Sequence, residues 1–311
     1  MLDLNVIQRI DFRTICIEDK ELLGEYLPDE FDRGCDFTFA NLYLWGRQNI
    51  ATIHDHIVLF SQFDRRSIYP FPIGNGDKKP VIDAIIDDAK ARGIPCRITG
   101  LSEKAADLLD RLYPDKFRFH CDVGSFDYIY DIEDLAELKG KKYHGKRNHI
   151  NRFLEEYPDY YVEPLSESNI ENVKEMVSLW YDDRKKEYPN SDFFEEEIAI
   201  KKAFRDYKAL GMEGLILCSD NEVLAVTMGS QMTSDTFDIH FEKARSGVNG
   251  AYAMINREFA RWIRKNYPQI KYLDREEDMG FEGLRKAKQS YYPHHMIEKC
   301  WAHYLEDDNE N

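Results

Sequence analysis

Residues Thr236 to Ile263, TFDIHFEKARSGVNGAYAMINREFARWI, constrain this chain more than any other stretch. Phe237, Ile239 and Phe241 alternate with Asp238, His240 and Glu242, the period-two pattern of a strand with one apolar face. The run Arg245-Ser246-Gly247-Val248-Asn249-Gly250-Ala251 breaks that pattern. Tyr252, Ile255, Phe259, Trp262 and Ile263 then share one face of a helix. A glycine loop that opens a helix offers free backbone N–H groups and the positive helix end, a natural seat for an anion. The same residues also read as a tight strand-to-helix turn with Asn249 as the N-cap.

The flanking pattern supplies the rest of an α/β unit. Gly214–Met232 reads as a hairpin turning at Asp220-Asn221, Ile270–Leu273 as a strand and Glu282–Ser290 as a short helix. His295–Tyr304 reads as a last strand before an acidic tail, LEDDNEN. Residues 50–114 run in the same order of hairpin, strand, glycine turn, helix, strand, helix and tyrosine-proline as residues 214–293. In the first copy Asn49–Phe63 is the hairpin, Ser67–Ile73 a strand, and Pro80 opens a helix with Val81, Ile82, Ile85 and Ile86 inward. Cys96–Thr99 is a strand, and Ser102 caps the next helix. Earlier, Asp19–Leu27 and Asp36–Trp45 have helical spacing, the latter as a buried core helix. Phe117–Tyr130 reads as a strand pair. Between the copies, Ser168-x-x-Glu171 forms a capping box and Asp192-x-x-Glu195 opens another helix. The expected architecture is α/β (α+β), with two domains of one type over 1–130 and 131–311 and a cleft between them.

Charge and cysteine content narrow the setting. The net charge is -16, so a polyanion needs a local basic patch. Leu138–Tyr157 is such a patch: Lys139, Lys141, Lys142, Lys146, Arg147 and Arg152 are joined by His144 and His149. Lys142, Lys146, Arg147 and His149 are the candidates to hold a phosphate with Gly247, Asn249, Gly250 and Ala251. The alternative is a solvated amphipathic helix. The six cysteines are scattered without a C-x-x-C pair, which predicts reduced, mostly buried thiols with neither a disulfide nor a zinc role, and a cytoplasmic protein. No apolar run approaches the roughly 18 residues of a membrane span. Neither a metal nor a tightly bound cofactor is expected.

Two polar constellations could carry chemistry. Asp238, His240 and Glu242 fall on the polar face of the strand, where one could act as a base; His240 starts nearest the useful pKa. Asp274-Arg275-Glu276-Glu277-Asp278 stands at the C-terminal end of a strand, where ligands of open α/β sheets gather. Arg285, Lys286 and Lys288 follow on a short helix. Asp274, Arg275 and Asp278 could orient an amine-bearing substrate, Arg285 or Lys288 a phosphate or ribose, and Glu276 could act catalytically. The structural alternative is an ion-pair network tying loop to helix.

The order hairpin, strand, glycine loop, long helix, strand, helix resembles the GCN5-related acetyltransferase fold, whose phosphate loop stands where Gly247–Ala251 lies. A tandem pair of such domains resembles the Fem-type peptidoglycan aminoacyl transferases. More specifically, DFTFANLYLW (36–45), GKKYHGKRNHINRF (140–153), NGAYAMINREFA (249–260) and DREEDMGFEGLRKAKQSYYP (274–293) resemble the DUF2156 family. That family is related to the C-terminal catalytic domain of phosphatidylglycerol lysyltransferase. The resemblance covers nearly the whole chain and implies mixed central sheets flanked by helices. It also implies acyl or aminoacyl transfer, with aminoacyl-tRNA or acyl-CoA as co-substrate and a small-molecule, peptide or lipid-headgroup acceptor. The acetyl-CoA loop of that fold carries a glycine where Val248 stands here.

Overall fold

The computed structural model of the protein describes residues 9–27, 34–45, 48–63, 66–189, 191 and 193–306. The chain divides into two compact units, Met1–Phe126 with Ile297–Asn311, and Asp127–Met296. In chain order the first contributes β1 (Arg13–Thr14), α1 (Asp19–Tyr26), α2 (Phe39–Leu44), β2 (Gln48–Ile53), β3 (His56–Phe63), β4 (Arg66–Pro70), α3 (Lys78–Arg92), β5 (Arg97–Leu101), α4 (Glu103–Leu112) and β6 (Phe117–Cys121). The second contributes β7 (Asp127–Asp131), α5 (Ile132–Glu137), α6 (His144–Glu156), β8 (Tyr161–Pro164), α7 (Ile170–Glu187), α8 (Phe194–Leu210), β9 (Glu213–Ser219) and β10 (Glu222–Gln231). It continues with β11 (Thr236–Ala244), α9 (Ala251–Asn266), β12 (Tyr272–Asp274), α10 (Glu282–Gln289) and β13 (His295–Ile297). The final strand, β14 (Cys300–Tyr304), belongs to the first unit.

Each unit is built on a mixed seven-stranded sheet, ordered β1-β2-β3-β4-β5-β14-β6 in the first and β13-β7-β12-β11-β10-β9-β8 in the second. The repeat read from the sequence is present in the pairing. In both sheets an antiparallel run ends in a strand that reaches its parallel neighbour through a helix, β4-α3-β5 and β11-α9-β12. A parallel neighbour requires such a crossover, and its helix buries one face on the sheet. Val81, Ile82, Ile85 and Ala89 of α3 do so against Ile98 and Leu101. Ile255, Phe259 and Ile263 of α9 do so against Phe237, Leu273 and Leu215.

Several local expectations are corrected. His295–Tyr304 is two strands in two different sheets, because β13 closes the edge of the second sheet and β14 inserts between β5 and β6 of the first. Cys300 thereby lies in register opposite Cys121 and forms a disulfide with it, overturning the expectation of uniformly reduced thiols. The partners are separated by 179 residues, so no spacing rule could have paired them. Pro80 occupies the third helical position, since Asp77 caps α3 and accepts from the Lys79 N–H; proline is tolerated there because first-turn N–H groups lack intrahelical acceptors. The capping box at Ser168 does not form: α7 starts at Ile170 after Asn169, with no side-chain cap. Asp192 and the acidic tail beyond Glu306 lie outside the described residues, and α8 begins at Phe194.

The central irregularity is a bulge between β10 and β11. Met228 pairs with Phe241 and Gly229 with Ile239, which leaves His240 as the extra residue. Gly229 is required there: a Cβ would stand 2.0 Å from the Asp238 carbonyl oxygen and 2.9 Å from the Phe237 ring. Gly229→Ala is expected to destabilise the protein by about 1–3 kcal/mol through this overpacking. The check is the midpoint of urea unfolding, which an unchanged value would contradict.

Candidate active site

The site lies where two parallel strands part. β11 pairs with β12 only over Thr236–Asp238 against Tyr272–Asp274, yet β11 continues to Ala244. After Asp274 the chain turns away through Glu276, whose φ is +57°. The opening between the strands is therefore bordered by the second half of β11 and the Arg275–Asp278 loop.

The bulge decides which side chains meet on each face. Phe237 and Ile239 join the core under α9, and so does Ala244. The spacing from 239 to 244 is odd, so the alternation is reset within the strand and Glu242 joins the α9 face. Its carboxylate accepts from Asn256 Nδ2 of α9 at 3.2 Å and from Arg275 Nη2 at 2.9 Å. The expectation that Asp238, His240 and Glu242 share one polar face is thus corrected.

On the α9 face, Glu242 pairs with Arg275, and Lys146 stands against the same Tyr291 ring as Arg275. The Arg275 guanidinium carbon lies 4.9 Å from the centre of the Tyr291 ring, and Lys146 Nζ of α6 lies 3.6 Å from it. Arg275 Nη1 and Asn256 Oδ1 are buried without a hydrogen-bond partner among the described residues. Lys146 has no carboxylate within ion-pairing distance among those residues, although Glu242 favours its charge from farther away. Its ammonium is pulled down to about 8, first by burial and then by repulsion from Arg275. Two cations with one carboxylate make a cluster of net positive sign in a chain of net charge -16. Such a cluster is suited to a developing oxyanion, with Lys146 tuned to move protons.

On the other face the bulge residue has its own network. His240 Nε2 lies 2.8 Å from Ser230 Oγ, and Nδ1 lies 3.2 Å from Glu276 Oε1 and 3.4 Å from Asp238 Oδ2. The imidazole side chain is 0% exposed, so both ring nitrogens are engaged inside the protein rather than offered to a substrate. Sequence reading missed Ser230, which reaches His240 only because β10 runs antiparallel beside β11.

The remaining candidates divide by what they touch. Arg285 holds Asp278 through two hydrogen bonds, which with those from Tyr128 and the Gly280 N–H keep that carboxyl at about 2. Lys288, buried on α10, donates to the backbone carbonyls of Arg275, Glu276 and Glu277. Asp274 is fully buried and accepts from the Glu276 N–H at 2.7 Å. These four shape the loop that presents Arg275 and Glu276. Of the basic segment, Lys142 pairs with Asp134 at 2.9 Å, and Arg147 donates to the carbonyls of Leu138 and Gly140.

The glycine loop lies against this segment. Gly250 has φ +81°, and a Cβ there would stand 2.2 Å from the carbonyl oxygen of His149. Gly250 rather than Asn249 is the N-cap of α9, and no side chain caps the helix. Gly247, at φ +83°, has open space around it; Asn249 is exposed and Ala251 buried. The loop and α6 therefore share one end of the second unit, with Lys146 the member of the segment directed at the β11–β12 opening.

A family model described as phosphatidylglycerol lysyltransferase, C-terminal, matches residues 31–303. A crystal structure of a conserved protein of unknown function from Bacteroides thetaiotaomicron is 36% identical, with a TM-score of 0.88 over 95% of this chain and 100% of that one. The structure of L-PGS from Bacillus licheniformis is 17% identical, with a TM-score of 0.67 over 94% of this chain and 93% of that one. An uncharacterized protein of Mycoplasmoides gallisepticum is 24% identical over 179 residues, 56% of this chain and 55% of the relative, so the chain spans about half the length of that curated relative. Among the described residues, no helix is long and apolar enough to cross a membrane.

Proposed function

Since the chain belongs to the family of the phosphatidylglycerol lysyltransferase C-terminal domain, we propose that it moves an aminoacyl group from aminoacyl-tRNA to an amine or hydroxyl acceptor. The observation that carries this reading is the placement of Arg275 and a half-buried Lys146, whose pKa falls to about 8, against one Tyr291 ring. Transfer from an ester requires an anchored donor, a proton taken from the acceptor and a donor for the oxyanion. Arg275 keeps its charge at any working pH, so its positive field stabilises the oxyanion from beneath the surface. Lys146 in its neutral form takes the acceptor's proton and returns it to the departing ribose hydroxyl. Glu242 and Asn256 hold Arg275 from behind, and the loop Lys288 secures holds it from below. The exposed basic residues of α6 and of the stretch before it offer positive charge to which the tRNA backbone would bind.

The sign of the pH dependence follows from the role. The reactive form of Lys146 is the neutral amine, which gains population as pH rises through about 8. Thus kcat/KM is expected to rise with pH and level off above that value. Lys146→Arg, cationic throughout, is expected to stay inactive. A profile that is flat across pH 8, or full activity in Lys146→Arg, contradicts the assignment.

Acyl-CoA is the rival donor, favoured by one feature: the uncapped N-terminus of α9 behind Gly247–Ala251, a place for a pyrophosphate. Thermal shift separates the two, because a ligand that binds only the native state raises the melting temperature. A shift with charged tRNA and none with coenzyme A supports the first reading. A shift with coenzyme A alone supports the rival, and no shift with either supports a binding protein on a transferase scaffold.

A further inference from the structure

We infer that Asp238, His240 and Glu276 form a binding site for a divalent cation of the zinc type, on the sheet face opposite Lys146. This site is independent of the transferase reading. The three residues each offer one ligand atom, and these atoms all lie within 4.8 Å of one another. His240 Nδ1 is 3.2 Å from the Glu276 oxygen and 3.4 Å from the Asp238 oxygen. Ligands about 2.0–2.1 Å from a tetrahedral ion stand about 3.3–3.4 Å apart, so these two separations match edges of a zinc coordination tetrahedron. An ammonium group needs wider spacing, because each of its N–H···O contacts is about 2.8 Å long.

The imidazole's setting points the same way. A cation beside Nδ1 would be shared by all three groups. Ser230 Oγ, 2.8 Å from Nε2, can accept that nitrogen's proton and so free Nδ1 to bind a cation. This is the outer hydrogen bond that ligating histidines use to fix tautomer and ring orientation. Asp274, accepting the Glu276 N–H at 2.7 Å, holds the third ligand's backbone in place. The ligand types, one imidazole and two carboxylates, suit zinc before magnesium or calcium, which prefer all-oxygen shells. An ion here ties the end of β12 to the bulge of β11. The bulge serves this purpose directly, since it puts His240 and Glu242 on opposite faces.

The test is titration of ZnCl2 into full-length protein stripped with a chelator, followed by calorimetry. One zinc ion per chain is expected. Glu276→Gln, which keeps size and loses charge, and His240→Ala should both abolish that event. Ser230→Ala should weaken it by about 10–100-fold. Co2+ in place of zinc should give visible d–d bands without the thiolate charge-transfer band that binding to Cys16, Cys35, Cys96 or Cys218 would produce. Absence of stoichiometric binding by the wild type overturns the site. So does unchanged binding in Glu276→Gln and His240→Ala, or a thiolate band.

Discussion

Lys146→Met is expected to slow acyl transfer by about 10²–10⁴-fold, the range that a positioned general acid–base contributes, without a measurable change in melting temperature. The two halves of that expectation have separate causes. Lys146 is the cation of the pocket without a carboxylate in ion-pairing distance among the described residues, so its removal orphans no buried charge. Its ammonium stands 3.6 Å from the centre of the Tyr291 ring, and the methionine thioether can make a favourable sulfur–aromatic contact in its place. The lost function is then the amine alone. The check is kcat/KM beside a melting curve. Equal loss of activity and stability would mean that Lys146 acts through folding.

Arg275→Met is expected to behave differently, lowering stability by about 3–5 kcal/mol as well as abolishing transfer. Arg275 and Glu242 side chains are only 15% and 10% exposed, and the Arg275 guanidinium supplies a charged partner at 2.9 Å. Removing it leaves a nearly buried carboxylate with Asn256 as its remaining hydrogen-bond donor in the pocket. Replacing both members, Arg275→Met with Glu242→Leu, should recover much of the lost stability, because two apolar side chains carry no desolvation penalty. Activity should stay absent in the double variant. Urea unfolding of the two single variants and the double variant measures the coupling directly. Additive losses would show that the pair does not interact as described.

The sequence-level pattern reached the architecture because local signals and tertiary structure agreed. The hairpin at Asp220-Asn221, the glycine-closed α3 and the β11-loop-α9 unit are each encoded within a few residues of where they form. The family resemblance reached the same fold, and the matching family model extends over residues 31–303. What periodicity could not reach is whatever depends on a neighbour from elsewhere in the chain. The bulge at His240 is set by the close approach of Gly229 to Asp238, so simple alternation assigned Glu242 to the wrong face. Cys121 and Cys300 pair because β14 returns to the first sheet. The basic segment reads as one patch, yet its members part company once packed. Lys142 finds Asp134, Arg147 finds backbone carbonyls, and Lys146 alone of these three meets Tyr291 and the Arg275 pocket. A helical wheel holds the positions of these residues but not the identity of what faces them.

The measurement that bears most directly on the account is the rate at which a labelled aminoacyl group leaves tRNA in the presence of mixed amine, peptide and phospholipid acceptors. Wild-type protein and Lys146→Met are compared at the same salt concentration and above pH 8. Label is expected to pass to an acceptor with the wild type and to remain on tRNA, within the same period, with the variant of matching melting temperature. Label that leaves tRNA equally fast with both proteins, or that never leaves with the wild type, would contradict it.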